Sequence, residues 1–260
     1  MKKRPILRKK DLFMFDLDGV FYKGKESRER IGGTRVIEAL RESGKKLFVL
    51  TNNSTDSVET VHTRLAEFGI PVQRGEILTS ALLTAEYLSK KHGRVSYFLV
   101  GEAGLESEMR RCGHSRTEGE GAQFVVVGLD RRLTYDKLDQ AARLVRNGAS
   151  IVATHTARLY MSNSGPAIAT GPIVRALEYA TQKRATVIGK PSPLMFRMAL
   201  GRAGCAKRQA VMIGDQVETD LEGASRAGID SILVTTGVDQ DARGTAMATI
   251  RNVDDLTDLL

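Results

Sequence analysis

The stretch Leu12-Phe13-Met14-Phe15-Asp16-Leu17-Asp18-Gly19-Val20 decides how the rest of the chain is read. Its apolar start predicts a strand buried on both faces, the kind found in parallel sheets covered by helices. The strand runs directly into two carboxylates one residue apart. Side chains at i and i+2 of a strand share a face, so Asp16 and Asp18 are expected to point the same way. In open α/β sheets ligands bind outside the carboxyl ends of the strands, and two acids there attract a hard cation such as Mg2+. Alone, Asp-x-Asp-Gly reads equally well as a turn, because Asp and Gly both suit loop geometry.

Further apolar runs rich in β-branched or aromatic residues lie at 47–50, 97–100, 124–127, 151–153, 186–188, 210–213 and 231–234, and each predicts a strand. Between them Val58, Val61, Leu65 and Phe68 recur at helical spacing, closed by Gly69 and Pro71. Similar segments run from Thr34 to a stop at Gly44, from Thr134 to Gly148 and from Ser192-Pro193 to Gly204, and another ends at Gly228. Strand followed by helix, repeated, means an α/β fold with a mostly parallel sheet covered on both faces. The 260 residues suffice for two modest domains, but neither an internal repeat nor a low-complexity linker marks the boundary.

Hydrophobic residues make up 42% and charged residues 27%, which excludes disorder, collagen and a coiled-coil rod. The formal charge of +8 is concentrated in residues 1–10, where Lys2, Lys3, Arg4, Arg8, Lys9 and Lys10 stand without an acid; setting those six aside leaves +2. Such a tail is expected to be solvated, and nucleic acid is not an expected partner. The apolar run after it stops at Asp16, too short for a signal peptide, and no stretch approaches the ~18 apolar residues of a membrane span. Cys112 and Cys205 stand far apart without metal-ligand spacing, so neither a disulfide framework nor a zinc site is expected. The expected compartment is the cytoplasm.

Three more strand ends carry chemistry. The run 47–50 ends in Thr51-Asn52-Asn53-Ser54; Val187-Ile188 leads into Gly189-Lys190-Pro191-Ser192-Pro193; and 210–213 leads into Gly214-Asp215, with Asp220 five residues on. Each has a plainer reading taken singly: a helix N-cap at Ser54 or Thr55, a surface lysine, acids at a helix start. Together, Asp-x-Asp, Thr, Lys and Asp compose one phosphate chemistry. Carboxylates hold Mg2+, an aspartate can attack phosphorus, and Thr and Lys can bind phosphoryl oxygens.

At this point the sequence resembles the haloacid dehalogenase-like (HAD) hydrolases. Phe15-Asp16-Leu17-Asp18-Gly19 looks like the superfamily's first motif, Leu50-Thr51-Asn52-Asn53 its second, Lys190 its third, and Gly214-Asp215 with Asp220 its fourth. The stretches Thr51-Asn52-Asn53-Ser54 and Gly189-Lys190-Pro191-Ser192-Pro193 are similar more narrowly to subclass IIA, which includes 4-nitrophenyl phosphatases, pyridoxal phosphatases and nucleotide monophosphatases. The resemblance implies a Rossmann-like parallel-sheet core from residues 1–78 and 182–260, with an inserted α/β cap domain at 79–181. It also leaves room for a homodimer formed through the cap.

The same resemblance implies a Mg2+-dependent phosphatase acting on a small phosphorylated metabolite. Asp16 is the expected nucleophile and Asp18 the acid and base. Asp16, the Asp18 carbonyl and Asp215 are the expected metal ligands, and Thr51, Asn52 and Lys190 the phosphate contacts. Asp220 and Asn53 would stand behind these. The alternatives are a catalytically weak binding protein of the same fold and a receiver-like phosphoacceptor module. One departure concerns substrate: where the subclass commonly shows Thr-Asn-x-Asp or Thr-His-x-Asp in the cap, this chain has Thr154-His155-Thr156-Ala157-Arg158. If that loop faces the site, His155 and Arg158 make it more cationic and favour a phosphomonoester with a second anionic group.

Overall fold

The structure, a computed structural model, describes residues 7–24, 29–162, 164–242 and 244–260. In chain order the elements are β1 (Leu12–Phe15), α1 (Thr34–Glu42), β2 (Lys46–Thr51), α2 (Val58–Glu67), β3 (Ile77–Thr79), α3 (Ser80–His92), β4 (Ser96–Val100), α4 (Ala103–Arg111), β5 (Ser115–Arg116) and β6 (Phe124–Val127). They continue with α5 (Tyr135–Arg146), β7 (Ser150–Ala153), β8 (Leu159–Ser162), β9 (Gly165–Ile168), α6 (Thr170–Thr181) and β10 (Thr186–Val187). The last are α7 (Pro193–Ala203), β11 (Ala210–Gly214), α8 (Glu222–Ala227), β12 (Asp230–Val234) and β13 (Ala248–Ile250). By internal contacts the chain divides into two compact units: Met1–Thr51, Val61–Leu78 and Pro193–Leu260 form the first, Asn52–Thr60 and Thr79–Ser192 the second.

The first unit is built on a six-stranded sheet in the order β13-β12-β11-β1-β2-β3. β1 pairs in parallel with β2 on one side and β11 on the other, so that Phe15 lies between Val49 and Ile213. Leu12, Phe13, Met14 and Phe15 are all fully buried, which is why this strand reads as an unbroken apolar run. Each such side chain contributes ~1.5–3 kcal/mol on burial. Helix α1 has no cap from its own flank; Asp254 accepts hydrogen bonds from the Gly33 and Val36 N–H groups, each at 3.1 Å.

The basic tail departs from expectation in the part that is described. Leu7 is fully buried and its N–H donates to the Leu259 carbonyl (3.1 Å). Lys10 is buried as well, bonded to the Asp230 carboxylate at 2.5 Å and the Arg208 carbonyl at 2.8 Å. Residues 7–10 therefore belong to the fold of the first unit, because a leucine beside the cluster of cations supplies an anchor that a charge count passes over. Residues 1–6 lie outside the described residues.

The second unit has its own parallel sheet, in the order β10-β7-β6-β4-β5, and a separate antiparallel hairpin, β8–β9. α3 packs against α4, and α5 against α6. Val125, Val127, Ile151, Val174 and Leu177 lie in its apolar core. Residues 52–60 are stitched to it. The Gly104 N–H donates to the Thr55 carbonyl (3.2 Å), the Leu129 N–H to Ser54 Oγ (3.1 Å) and the Val58 N–H to Glu108 Oε1 (2.9 Å). Among the described residues no helix is long and apolar enough to cross a membrane.

Leu7→Ala should lower the unfolding free energy by about 2–5 kcal/mol, the usual cost of truncating a buried leucine. Arg8→Ala, at an exposed neighbour, should stay within ~0.5 kcal/mol of wild type. Urea midpoints measure both, and equal midpoints for the two variants would return the whole tail to solvent.

Candidate active site

In the first unit, β1 ends at Phe15 and Asp16 follows at once, its N–H donating to the Ile213 carbonyl (2.8 Å) to extend the pairing by one residue. The chain then turns. The Phe21 N–H reaches back to the Leu17 carbonyl (3.1 Å), and Gly19 adopts a positive φ of 78°. Asp18 thus sits in a loop, where strand alternation no longer governs its direction, and it is half-buried while Asp16 is buried. Asp215 follows β11, the strand beside β1. Asp220 lies in the helical turn beyond, from which its carboxylate folds back to accept the Gln216 N–H (3.1 Å).

Asp16, Asp215 and Asp220 each bring a carboxylate oxygen to within 4.8 Å of the other two, and all three side chains are buried. Three hard oxygen donors at this spacing suit a divalent cation of the Mg2+ type. The Asp220 carboxylate thus lies as close to Asp16 and Asp215 as the spacing of that group allows. Thr51, at the end of β2 on the other side of β1, is buried too.

A further strand end of the first unit belongs to this group, although the sequence did not single it out. After β12, the Thr236 hydroxyl donates to the Gly19 carbonyl (2.5 Å), the Val238 N–H to Asp215 Oδ2 (2.9 Å) and the Asp239 N–H to the Asp215 carbonyl (3.0 Å). Asp239 in turn accepts the Val217 N–H (2.7 Å). The available signal was Thr235-Thr236-Gly237 directly after the apolar run 231–234, the same pattern of polar residues and glycine seen at the other strand ends.

The remaining candidates lie in the second unit. Asn52 Nδ2 donates to the Lys190 carbonyl (2.9 Å), and the Ser80 hydroxyl holds the Asn52 carbonyl (2.8 Å). The Lys190 side chain is 1% exposed, so it is not surface decoration. Asn53 works on its own loop: Oδ1 accepts the N–H groups of Thr55 (3.0 Å) and Asp56 (2.9 Å), and Nδ2 donates to Asp56 (3.0 Å). Arg158 is exposed.

His155 corrects an expectation. Its Nδ1 accepts the Ala157 N–H (3.2 Å), so the proton sits on Nε2, which donates to the Thr170 hydroxyl (3.0 Å). Burial first, and the charge of Lys190 second, push its pKa down to about 4. The ring is neutral at pH 7 and adds no positive charge to residues 154–158, because the fold buries it and engages both nitrogens.

Two family profiles match this chain: one described as haloacid dehalogenase-like hydrolase over residues 13–115, another as HAD-hydrolase-like over residues 187–259. An acid sugar phosphatase of Staphylococcus epidermidis is 34% identical over 226 residues, 87% of this chain and 86% of the relative. The crystal structure of a 4-nitrophenylphosphatase from Thermotoga maritima superposes with a TM-score of 0.90 at 33% identity, over 97% of this chain and 98% of that one. A p-nitrophenyl phosphatase from Archaeoglobus fulgidus gives 0.90 at 29% identity, over 96% and 99%.

The state of His155 is measurable. With a folded pKa near 4 and an unfolded value near 6.5, the unfolded chain takes up the proton first as pH falls. This residue therefore leaves stability unchanged above pH 6.5 and removes about 3 kcal/mol between pH 6.5 and 4. His155→Asn should flatten that part of the stability curve in urea titrations, and the wild-type ring should titrate near pH 4 by NMR. A ring titrating near 6.5 would contradict the neutral assignment.

Proposed function

The chain belongs to the haloacid dehalogenase-like hydrolases and is a phosphoric monoester hydrolase, and we propose that it cleaves small phosphomonoesters through an aspartyl phosphate on Asp16 with Mg2+ as cofactor. The observation that carries this is the buried trio of Asp16 and Asp215, at the carboxyl ends of adjacent parallel strands, with Asp220 from the turn beyond. The Asp16 and Asp215 carboxylates and the Asp18 carbonyl would hold the cation, with Asp220 beside them. When bound, it supplies the positive charge that lets a carboxylate and a phosphate dianion approach each other.

In the first step an Asp16 carboxylate oxygen attacks phosphorus. The phosphorus–oxygen bond to the leaving alcohol breaks, and Asp18 delivers its proton to the departing oxygen. In the second step Asp18, now a carboxylate, takes a proton from water as that water attacks phosphorus. The bond to Asp16 breaks, releasing inorganic phosphate and restoring the nucleophile. The Thr51 hydroxyl and the Asn52 N–H, consecutive along the chain, are assigned to phosphoryl oxygens, and Lys190 to their charge. Such donors act on charge that grows in the transition state, so a buried lysine supports the role better than an exposed one.

Residues 1–78 and 182–260 are the catalytic core in this proposal and 79–181 the cap that selects the leaving group, with the cytoplasm as the place of action. Sugar phosphates are the natural first substrates to test, given the name of the staphylococcal relatives. With His155 neutral, any preference for a second anionic group rests on Arg158 alone.

Phosphate release from 4-nitrophenyl phosphate and a panel of sugar phosphates tests this directly. Multiple turnover should require Mg2+ and stop on chelation, whereas a receiver-like module or a binding protein would give no sustained turnover. Asp16→Asn should cost at least ~10³-fold, since an amide is not a competent nucleophile. Lys190→Ala should cost ~10²–10³-fold, poorly restored by Lys190→Arg because the guanidinium is broader and differently directed. Arg158→Ala should lose activity selectively on substrates with a second anionic group. Near-normal turnover of Asp16→Asn would remove the nucleophile from the proposal.

A further inference from the structure

The loop 235–239 carries no residue of the proposed reaction, yet it is bonded to two of the segments that do. Thr236 holds the carbonyl of Gly19, the residue after Asp18, from the side chain. Val238 and Asp239 hold the Asp215 carboxylate and carbonyl from the backbone. Between these contacts stands Gly237, where a Cβ would overlap the Asp215 carboxylate, so the close approach is open only to glycine. The same holds across the gap: a Cβ on Gly19 would also overlap Asp215. The loops after β1, β11 and β12 thus meet at one carboxylate, and the far end of the strap is fixed by Asp239 on the Val217 N–H.

Resting on the Mg2+-dependent reaction proposed above, we infer that residues 236–239 are a positioning strap for the cation site, with Thr236 as a side-chain contact to the loop that carries Asp18. A carboxylate that accepts a backbone N–H on one oxygen cannot rotate freely, so its other oxygen is presented in a defined direction. Partners behind metal ligands commonly account for 10–100-fold in metal affinity. Thr236 applies the same logic to the backbone: a carbonyl pinned at Gly19 limits how the preceding peptide, and with it the Asp18 carbonyl, can tilt. Neither Thr236 nor Val238 is required to touch substrate. The strap sets the ligands and leaves the chemistry to Asp16 and Asp18.

Thr236→Val keeps the shape of the side chain and deletes the donor; Thr236→Ser keeps the donor and deletes a methyl group. Mg2+ binding to each purified protein is read by calorimetry without substrate. Turnover of 4-nitrophenyl phosphate is read as a function of Mg2+, and thermal unfolding in metal-free buffer. Thr236→Val should weaken Mg2+ binding ~10-fold, raise the Mg2+ concentration for half-maximal turnover by a similar factor, and recover much of its rate as Mg2+ rises. Thr236→Ser should stay within about twofold of wild type in metal affinity. Thr236→Val with wild-type Mg2+ affinity overturns the strap alone, since wild-type turnover would still support the phosphatase. A serine variant as weak as the valine variant also overturns it, by showing that shape and not the donor matters. Wild-type protein that neither binds Mg2+ nor turns over overturns both proposals.

Discussion

Like charges held together out of water are the constraint around which the first unit is arranged. Asp16, Asp215 and Asp220 are 6%, 1% and 0% exposed, and two negative charges at the outer limit of their spacing would repel by roughly 3.5 kcal/mol at an effective dielectric of ~20. Nothing in a sheet's own hydrogen bonding answers that repulsion. Part of the answer lies in backbone donors, the Val238 N–H on Asp215 and the Gln216 N–H on Asp220. Three oxygen donors gathered this closely suit a cation, and the apolar strands β1 and β11 supply the rigidity that keeps the acids from moving apart.

The second unit solves a different problem with the same architecture. Its strand order reverses about β4, between β5 and β6, which in an open parallel sheet marks the crevice where a ligand is ordinarily taken up. Here the carboxyl ends of β4 and β6 are packed by the chain itself. Ser54 accepts the amide after β6, Thr55 accepts that of Gly104 after β4, and the backbone of residues 55 and 56 lies where a Cβ on Gly104 would go. His155 and Lys190, at the ends of the neighbouring strands β7 and β10, are drawn into the same buried edge.

Much of this was legible in the sequence, and the exceptions have physical reasons. The runs 12–15 and 124–127 coincide with β1 and β6, because strands buried on both faces have no alternation to blur their ends. α3 escaped notice because residues 80–85 are buried on every side, leaving no polar stripe to reveal a period of 3.6. The hairpin β8–β9 contains Gly165 and Pro166 and alternates between exposed and half-buried positions in β9, so no apolar run announces it. Asp16, Thr51, Lys190 and Asp215 stood out as polar residues at strand ends. The strap after β12 did not, since it acts chiefly through amides that every residue type possesses. The neutrality of His155 was out of reach for a related reason: it depends on burial and on Thr170, fifteen residues away, and no local spacing encodes either.

The pairing of β1 with both β2 and β11 also dictates an order of events as the chain leaves the ribosome. β1 and β2 emerge early, but the strand that completes the far side of β1 begins at Ala210. Until then Leu12, Phe13, Met14 and Phe15 form an apolar edge with its main-chain groups unmatched, the kind of surface that seeks any strand it meets. The second unit is complete in sequence once Ser192 has been made, and its central strands β4, β6 and β7 pair with partners close by in the chain. The carboxylate cluster needs Asp215 and Asp220 as well as Asp16, so it cannot form until all but the last forty or so residues have been made.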